Sequence, residues 1–167
     1  MRDSIVGRPP VTRLLQLLVS LALPLGVGAL SGIATSSSVR DWYPGLVKPP
    51  FNPPAWVFGP VWTALYLLMG VTLYLVWREG WQRPEVRLAI TLFIAQLALN
   101  GLWSVLFFGL QAPGLALVDM ALLWALLALT VVASWRVVPL AGGLLLPYLA
   151  WVSFAAVLNA SIWWLNS

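Results

Sequence analysis

The sequence predicts an all-α membrane protein: a bundle of five transmembrane helices with a long proline-rich first loop. Two observations carry this. Hydrophobic residues make up 61% of the 167 positions and charged residues only 8%, against about 25% charged in a soluble domain. The apolar residues also gather into five runs, each near the roughly 20 residues needed to cross a bilayer.

The runs set the boundaries in order. The first spans about 14–34, after a basic start with Arg2, Arg8 and Arg13. Its apolar body is longer than the 7–15 residues of a signal-peptide core, so it reads as a retained helix. Gly28 and Gly32 form a G-x-x-x-G pair, extended by Ala22 and Gly26, a spacing that lets a second helix approach closely. The second run covers about 56–77 and ends at Arg78 and Glu79. The third covers 88–109, and Gln111-Ala112-Pro113-Gly114 then reads as a tight turn. The fourth, 115–135, closes at Arg136, and the fifth covers about 140–164.

Residues 35–55 form the one long connection. Pro44, Pro49, Pro50, Pro53 and Pro54 fix φ and forbid a regular helix through much of it, predicting a stiff cover that carries Trp42, Tyr43 and Phe51. With five spans, Arg2, Arg8, Arg13, Arg78, Arg83, Arg87 and Arg136 fall on one side, and Arg40 and Lys48 on the other. That asymmetry predicts a cytoplasmic N-terminus and an outside C-terminus.

Histidine and cysteine are both absent, which excludes disulfides, most metal sites and Cys/His catalysis. No metal site and no required cofactor are expected. No Gly-rich phosphate loop or soluble basic face appears, so nucleic acid is not an expected partner; the bilayer is. Eleven tryptophans exceed what interfacial anchoring of five helices requires, and several lie mid-span.

Polar residues inside the spans point to the interior. Gln96, Asn100, Trp103 and Phe107 share one face of the third helix, where the amides serve as interhelical glue or meet a ligand. Trp62 and Tyr66 share a face of the second helix one turn after Gly59. Tyr148, Trp151, Ala155 and Leu158 do the same on the fifth. Large aromatics with a few polar handles suit an apolar pocket for a flat ligand. Asp119 is the only acid inside a span. Intramembrane carboxylates often mark function, but with no partner at depth a structural role, accepting bonds from helix ends, is expected.

The stretch from Trp42-Tyr43-Pro44-Gly45 through Lys48-Pro49 and Pro53-Pro54 to Trp56, Gly59-Pro60 and Trp62 closely resembles the translocator protein family, also called the tryptophan-rich sensory proteins (TspO/MBR). Gln96 to Asn100 with Phe107-Phe108-Gly109, and Pro147-Tyr148 to Trp151 with Phe154-Ala155 and Leu158-Asn159, agree with the same family. The likeness covers roughly residues 20–165. It implies five helices enclosing a loop-capped pocket, usually in a homodimer. The implied ligands are porphyrins such as protoporphyrin IX and haem, synthetic benzodiazepine-site compounds and, in animals, cholesterol. Matched by position, the pocket residues are Trp42, Tyr43, Trp62, Tyr66, Asn100, Trp103, Phe107, Leu115, Trp151, Ala155 and Leu158.

The resemblance implies a receptor or sensor that regulates tetrapyrrole levels or a stress response. The alternatives are a transporter of tetrapyrroles or other small hydrophobic molecules, and an enzyme degrading protoporphyrin in light. The last would rest on Trp42 and Trp151. Residues 158–164 lack the Tyr-then-basic pattern of the animal cholesterol segment, a departure that argues against sterol binding.

Overall fold

The computed structural model describes residues 10–167, and among them no strand forms. Helix α1 runs Pro10–Asp41, α2 Ala55–Trp77, α3 Pro84–Ser104, α4 Pro113–Val137, α5 Pro139–Leu144 and α6 Leu146–Leu165. Helix α3 continues as a π-helical turn over Val105–Gly109, and α5 and α6 together form the fifth span. Five helical stretches are long and apolar enough to cross a membrane. Proline opens α3, α4 and α5, where its missing N–H costs no intrahelical bond.

The first helix is longer than its apolar run. Thr35 to Asp41 continue it for about two turns, so the cover over the helix ends is residues 42–54. The serines there tip hydropathy toward a loop, yet Thr35 returns its hydroxyl to Ser31 O (2.7 Å) and Ser36 to Ile33 O (2.9 Å). Such back-bonding meets the hydroxyls' needs inside the helix.

Helices α1 and α2 meet backbone against backbone at Gly70. A Cβ at Gly70 would lie 2.9 Å from both Leu21 Cα and Ser20 O. Pro24 lies within α1 and has no N–H to offer the Ser20 carbonyl one turn earlier. Gly28 lies against the Tyr66 ring, as its small size allows, but Gly26 and Gly32 have open space where a Cβ would be. The two helices therefore touch at the Gly70 end and separate toward the cover.

The bundle core is built from Met69, Leu73, Val86, Phe93, Leu97, Met120, Leu123, Leu127, Tyr148 and Val152, all nearly inaccessible. Thr72 ties α2 to α5 by donating to Ala141 O (3.1 Å). Leu30, Ile33, Val118, Trp56 and Trp164 lie on the outer surface, as expected where lipid replaces water as the solvent. Arg13, Arg78, Arg83, Arg87 and Arg136 fall at one end of the bundle, and Arg40 and Lys48 at the other. Arg2 and Arg8 lie outside the described residues. The ion pairs Arg78–Glu79 (3.5 Å), Arg83–Glu79 (3.8 Å) and Arg83–Glu85 (3.9 Å) are solvent-exposed and contribute little.

Candidate functional site

Where α1 and α2 separate, a cavity of about 1030 Å³ opens between α1, α2, α3 and α6, with residues 43–53 along its outer end. That volume is at the upper end of the range for small-molecule sites. The α1 and α2 walls are lined largely by small residues, including Gly28, Ala29, Gly32, Ala55, Gly59 and Thr63. The inner walls are aromatic.

Trp62 stacks on Tyr66 (centroids 5.5 Å, planes 28° apart) and meets Tyr148 edge-on at 6.2 Å. Trp103 stacks on Phe107 at 5.1 Å, and Trp151 contacts Phe58 and Phe154. Edge and offset geometries of this kind stabilise beyond area burial by about 0.5–1.5 kcal/mol per pair. The rings are thus held in place by one another. The π turn after Ser104 adds one residue to the helical count, and Phe107 and Phe108, adjacent in sequence, both line the cavity.

Behind the aromatics runs a buried polar chain. The Tyr66 hydroxyl donates to Asn100 Oδ1 (2.7 Å), Asn100 Nδ2 donates to the Tyr148 hydroxyl (2.9 Å), and Tyr148 donates to Gln96 Oε1 (3.1 Å). A second set links Trp103 Nε1 to Asn159 Oδ1 (3.0 Å) and Asn159 Nδ2 to Pro113 O (2.8 Å). The amides on the α3 stripe therefore act as interhelical connectors. Asn100 lines the cavity, but its oxygen and one amide hydrogen are already engaged, leaving little for a ligand. Asn100→Leu, which keeps the volume and removes the amide, is expected to destabilise the protein by about 1–3 kcal/mol. Thermal melting in detergent measures this, and an unchanged midpoint would refute the connector role.

The cover has its own bracing. The Tyr43 hydroxyl donates to Asn52 Oδ1 (2.9 Å), and Lys48 Nζ donates to Pro44 O (3.2 Å) and Leu46 O (2.9 Å). The same ammonium lies 4.8 Å above the Tyr43 ring, a cation–π placement. Burial pushes the Tyr43 phenol above its ordinary value, which favours the neutral hydroxyl that donates to Asn52. Tyr43 leans on Phe107 and Phe108, and Phe51 on Phe154. Asn166 then ties the cover to the end of α6: its Oδ1 accepts from Val47 N–H (3.0 Å) and its Nδ2 donates to Val47 O (2.9 Å).

Nine of the eleven residues expected at the pocket line this one cavity: Tyr43, Trp62, Tyr66, Asn100, Trp103, Phe107, Trp151, Ala155 and Leu158. Two do not. Trp42 packs edge-on against Phe107 at 5.8 Å, within a cluster behind the wall. Leu115 is 59% exposed. The buried stripe of α4 is Ala116, Asp119, Met120, Leu123 and Leu127, and Leu115 shares the outward stripe with exposed Val118 and Leu122.

Arg40, Lys48, Thr35, Asn52 and Asn159 also line the cavity, and sequence reasoning does not single them out as pocket residues. Only their place in or beside the family-like segments points to them. Asp119 is buried, and neither carboxyl oxygen has a hydrogen-bond donor among the described residues, so the expected bonds from helix ends are not made.

Comparison with known proteins agrees with this architecture. The model of the TspO/MBR family matches residues 20–165. The tryptophan-rich protein TspO of Chlorobaculum tepidum is 46% identical over 154 residues, 92% of this chain and 98% of that protein. The Archaeoglobus fulgidus tryptophan-rich protein TspO is 44% identical over 155 residues, 92% and 99% of the two chains. The translocator protein of Homo sapiens is 45% identical over 145 residues, covering 86% and 85%. With five apolar helices and a family match spanning all of them, this chain is a multi-pass membrane protein and belongs to the TspO/MBR family.

Proposed function

We propose that this protein is a membrane receptor that holds a porphyrin, such as protoporphyrin IX, in the cavity between α1, α2, α3 and α6. One observation carries the reading. A single cavity of about 1030 Å³ joins the faces of Trp62, Trp103, Trp151, Tyr66 and Phe107 to a polar, covered end. Flat conjugated ligands stack on such faces, and benzodiazepine-type compounds would compete for the same walls. The receptor acts as a homodimer in this proposal, with its N-terminus in the cytoplasm.

Recognition is of the macrocycle and not of a metal. The chain has no histidine or cysteine. Met69 and Met120 are buried in the core away from the cavity, and the Tyr43 and Tyr66 hydroxyls are engaged by Asn52 and Asn100. Free-base and iron protoporphyrin are therefore expected to bind with similar affinity, read by absorption titration of protein in lipid nanodiscs. A much tighter iron complex with a ligation-type spectral shift would contradict this.

Light-driven degradation is the weaker reading, because only Trp151 of the two implicated tryptophans lines the cavity. Transport would use the same binding site and differ only in how the ligand leaves it. Five spans without a visible internal repeat are unlike the repeat-built carriers.

A further inference from the structure

The cavity carries an uncompensated positive charge at its covered end. Arg40, in the last turn of α1, and Lys48, in the cover, both line it, and among the described residues no aspartate or glutamate does. Among the described residues neither cation lies within ion-pair distance of a carboxylate. Asp41, the nearest acid in sequence, makes no such pair. Lys48 is placed in advance by the Pro44 and Leu46 carbonyls and the Tyr43 ring, which leaves one of its three N–H groups unused. Among the described residues Arg40 makes no side-chain hydrogen bond, so its fork of donors is available in a geometry suited to a carboxylate. The deep end offers Leu25, Trp62 and Tyr66 instead. Two like charges above low-dielectric walls focus a field that favours an anion.

We propose that the cavity selects an anionic amphiphile: a flat apolar body among the aromatics, with one or two carboxylates held by Arg40 and Lys48 beneath the cover. This rests on the porphyrin reading above and adds to it both an orientation and a requirement for charge. The acid groups point toward residues 43–53 and the opposite, apolar edge points toward Trp62.

The test compares protoporphyrin IX with its dimethyl ester, titrated by tryptophan quenching into protein held in nanodiscs of uncharged phosphatidylcholine. Empty nanodiscs correct for partition into lipid. The diacid is expected to bind the wild type roughly tenfold tighter than the diester, as for hydrogen bonds to charged groups, with the margin shrinking as salt rises. Arg40→Gln should remove part of that margin, and Arg40→Gln with Lys48→Gln should abolish it, both porphyrins then binding as the diester does. Arg40→Gln is the cleaner variant, since Lys48 also braces the cover. Equal binding of diacid and diester by the wild type, or a margin that survives in the double variant, overturns the inference while leaving the receptor reading intact. Binding of neither porphyrin overturns both. Adding an anionic phospholipid to the nanodiscs separates the sources of the anion. Weakened diacid binding in wild type but not in the double variant would show a lipid headgroup competing for the same cations.

Discussion

Gly70→Ala is expected to destabilise the protein by roughly 1–3 kcal/mol, the range for overpacking a fitted interior. The added methyl would meet Leu21 Cα and Ser20 O, both at 2.9 Å. Backbone atoms cannot rotate away as a side-chain tip can, so α1 and α2 must move apart along the contact that sets their splay. The helix-propensity gain of about 1 kcal/mol for replacing glycine offsets only part of this. Gly59 serves as the control. It lies in the same helix with nothing within 4 Å of its would-be Cβ, so Gly59→Ala should melt at or slightly above the wild-type temperature. Thermal melting of the three proteins in one detergent decides the matter. Equal midpoints would mean that the α1–α2 contact at Gly70 is looser than the structure describes.

Gly59→Leu is expected to weaken porphyrin binding by roughly tenfold or more, equivalent to about 1.4 kcal/mol, while leaving stability close to wild type. Gly59 lines the cavity and has room at its Cβ, so a leucine there projects into ligand space and not into packed protein. The pairing of outcomes is what makes the variant useful. A mutation that lowers affinity by unfolding the bundle says nothing about the site, whereas occlusion without destabilisation locates it. Quenching titrations alongside melting curves provide both readings. Unaltered affinity in a folded Gly59→Leu protein would place the ligand elsewhere.

The fold is largely legible in the sequence because a bilayer imposes a strict length on apolar runs, and all five runs are helices. The polar stripe of α3 is legible for a related reason. Amides in a span seek partners: Asn100 finds them in Tyr66 and Tyr148, and Gln96 Oε1 finds one in Tyr148, although Gln96 Nε2 has none among the described residues. The features that escape depend on which residue faces which. Gly28 and Gly32 stand out as a pair, but the glycine set against another helix's backbone is Gly70, whose partners are Ser20 and Leu21 of α1. No spacing rule within one helix reports that pairing.

Residues 35–41 read as loop because serine and threonine lower hydropathy, although hydroxyls bonded to the preceding turn are tolerated in a helix. Resemblance alone places Leu115 at the pocket. The buried period of α4, from Ala116 through Asp119 to Leu123, turns it outward. Arg40 and Lys48 illustrate the converse. Each is an ordinary loop-side cation in sequence. They become a candidate anion site only once the fold sets them on one cavity with no acid beside them.

In the proposed function the ligand lies inside the bundle, among tryptophan faces and under residues 43–53. A structure of the protein in nanodiscs with protoporphyrin IX tests it most directly. Macrocycle density is expected between α1, α2, α3 and α6, in contact with Trp62 and Trp151, with its carboxylates toward Arg40 and Lys48. Density confined to the lipid-facing surface, with the inner cavity free of porphyrin, would contradict it.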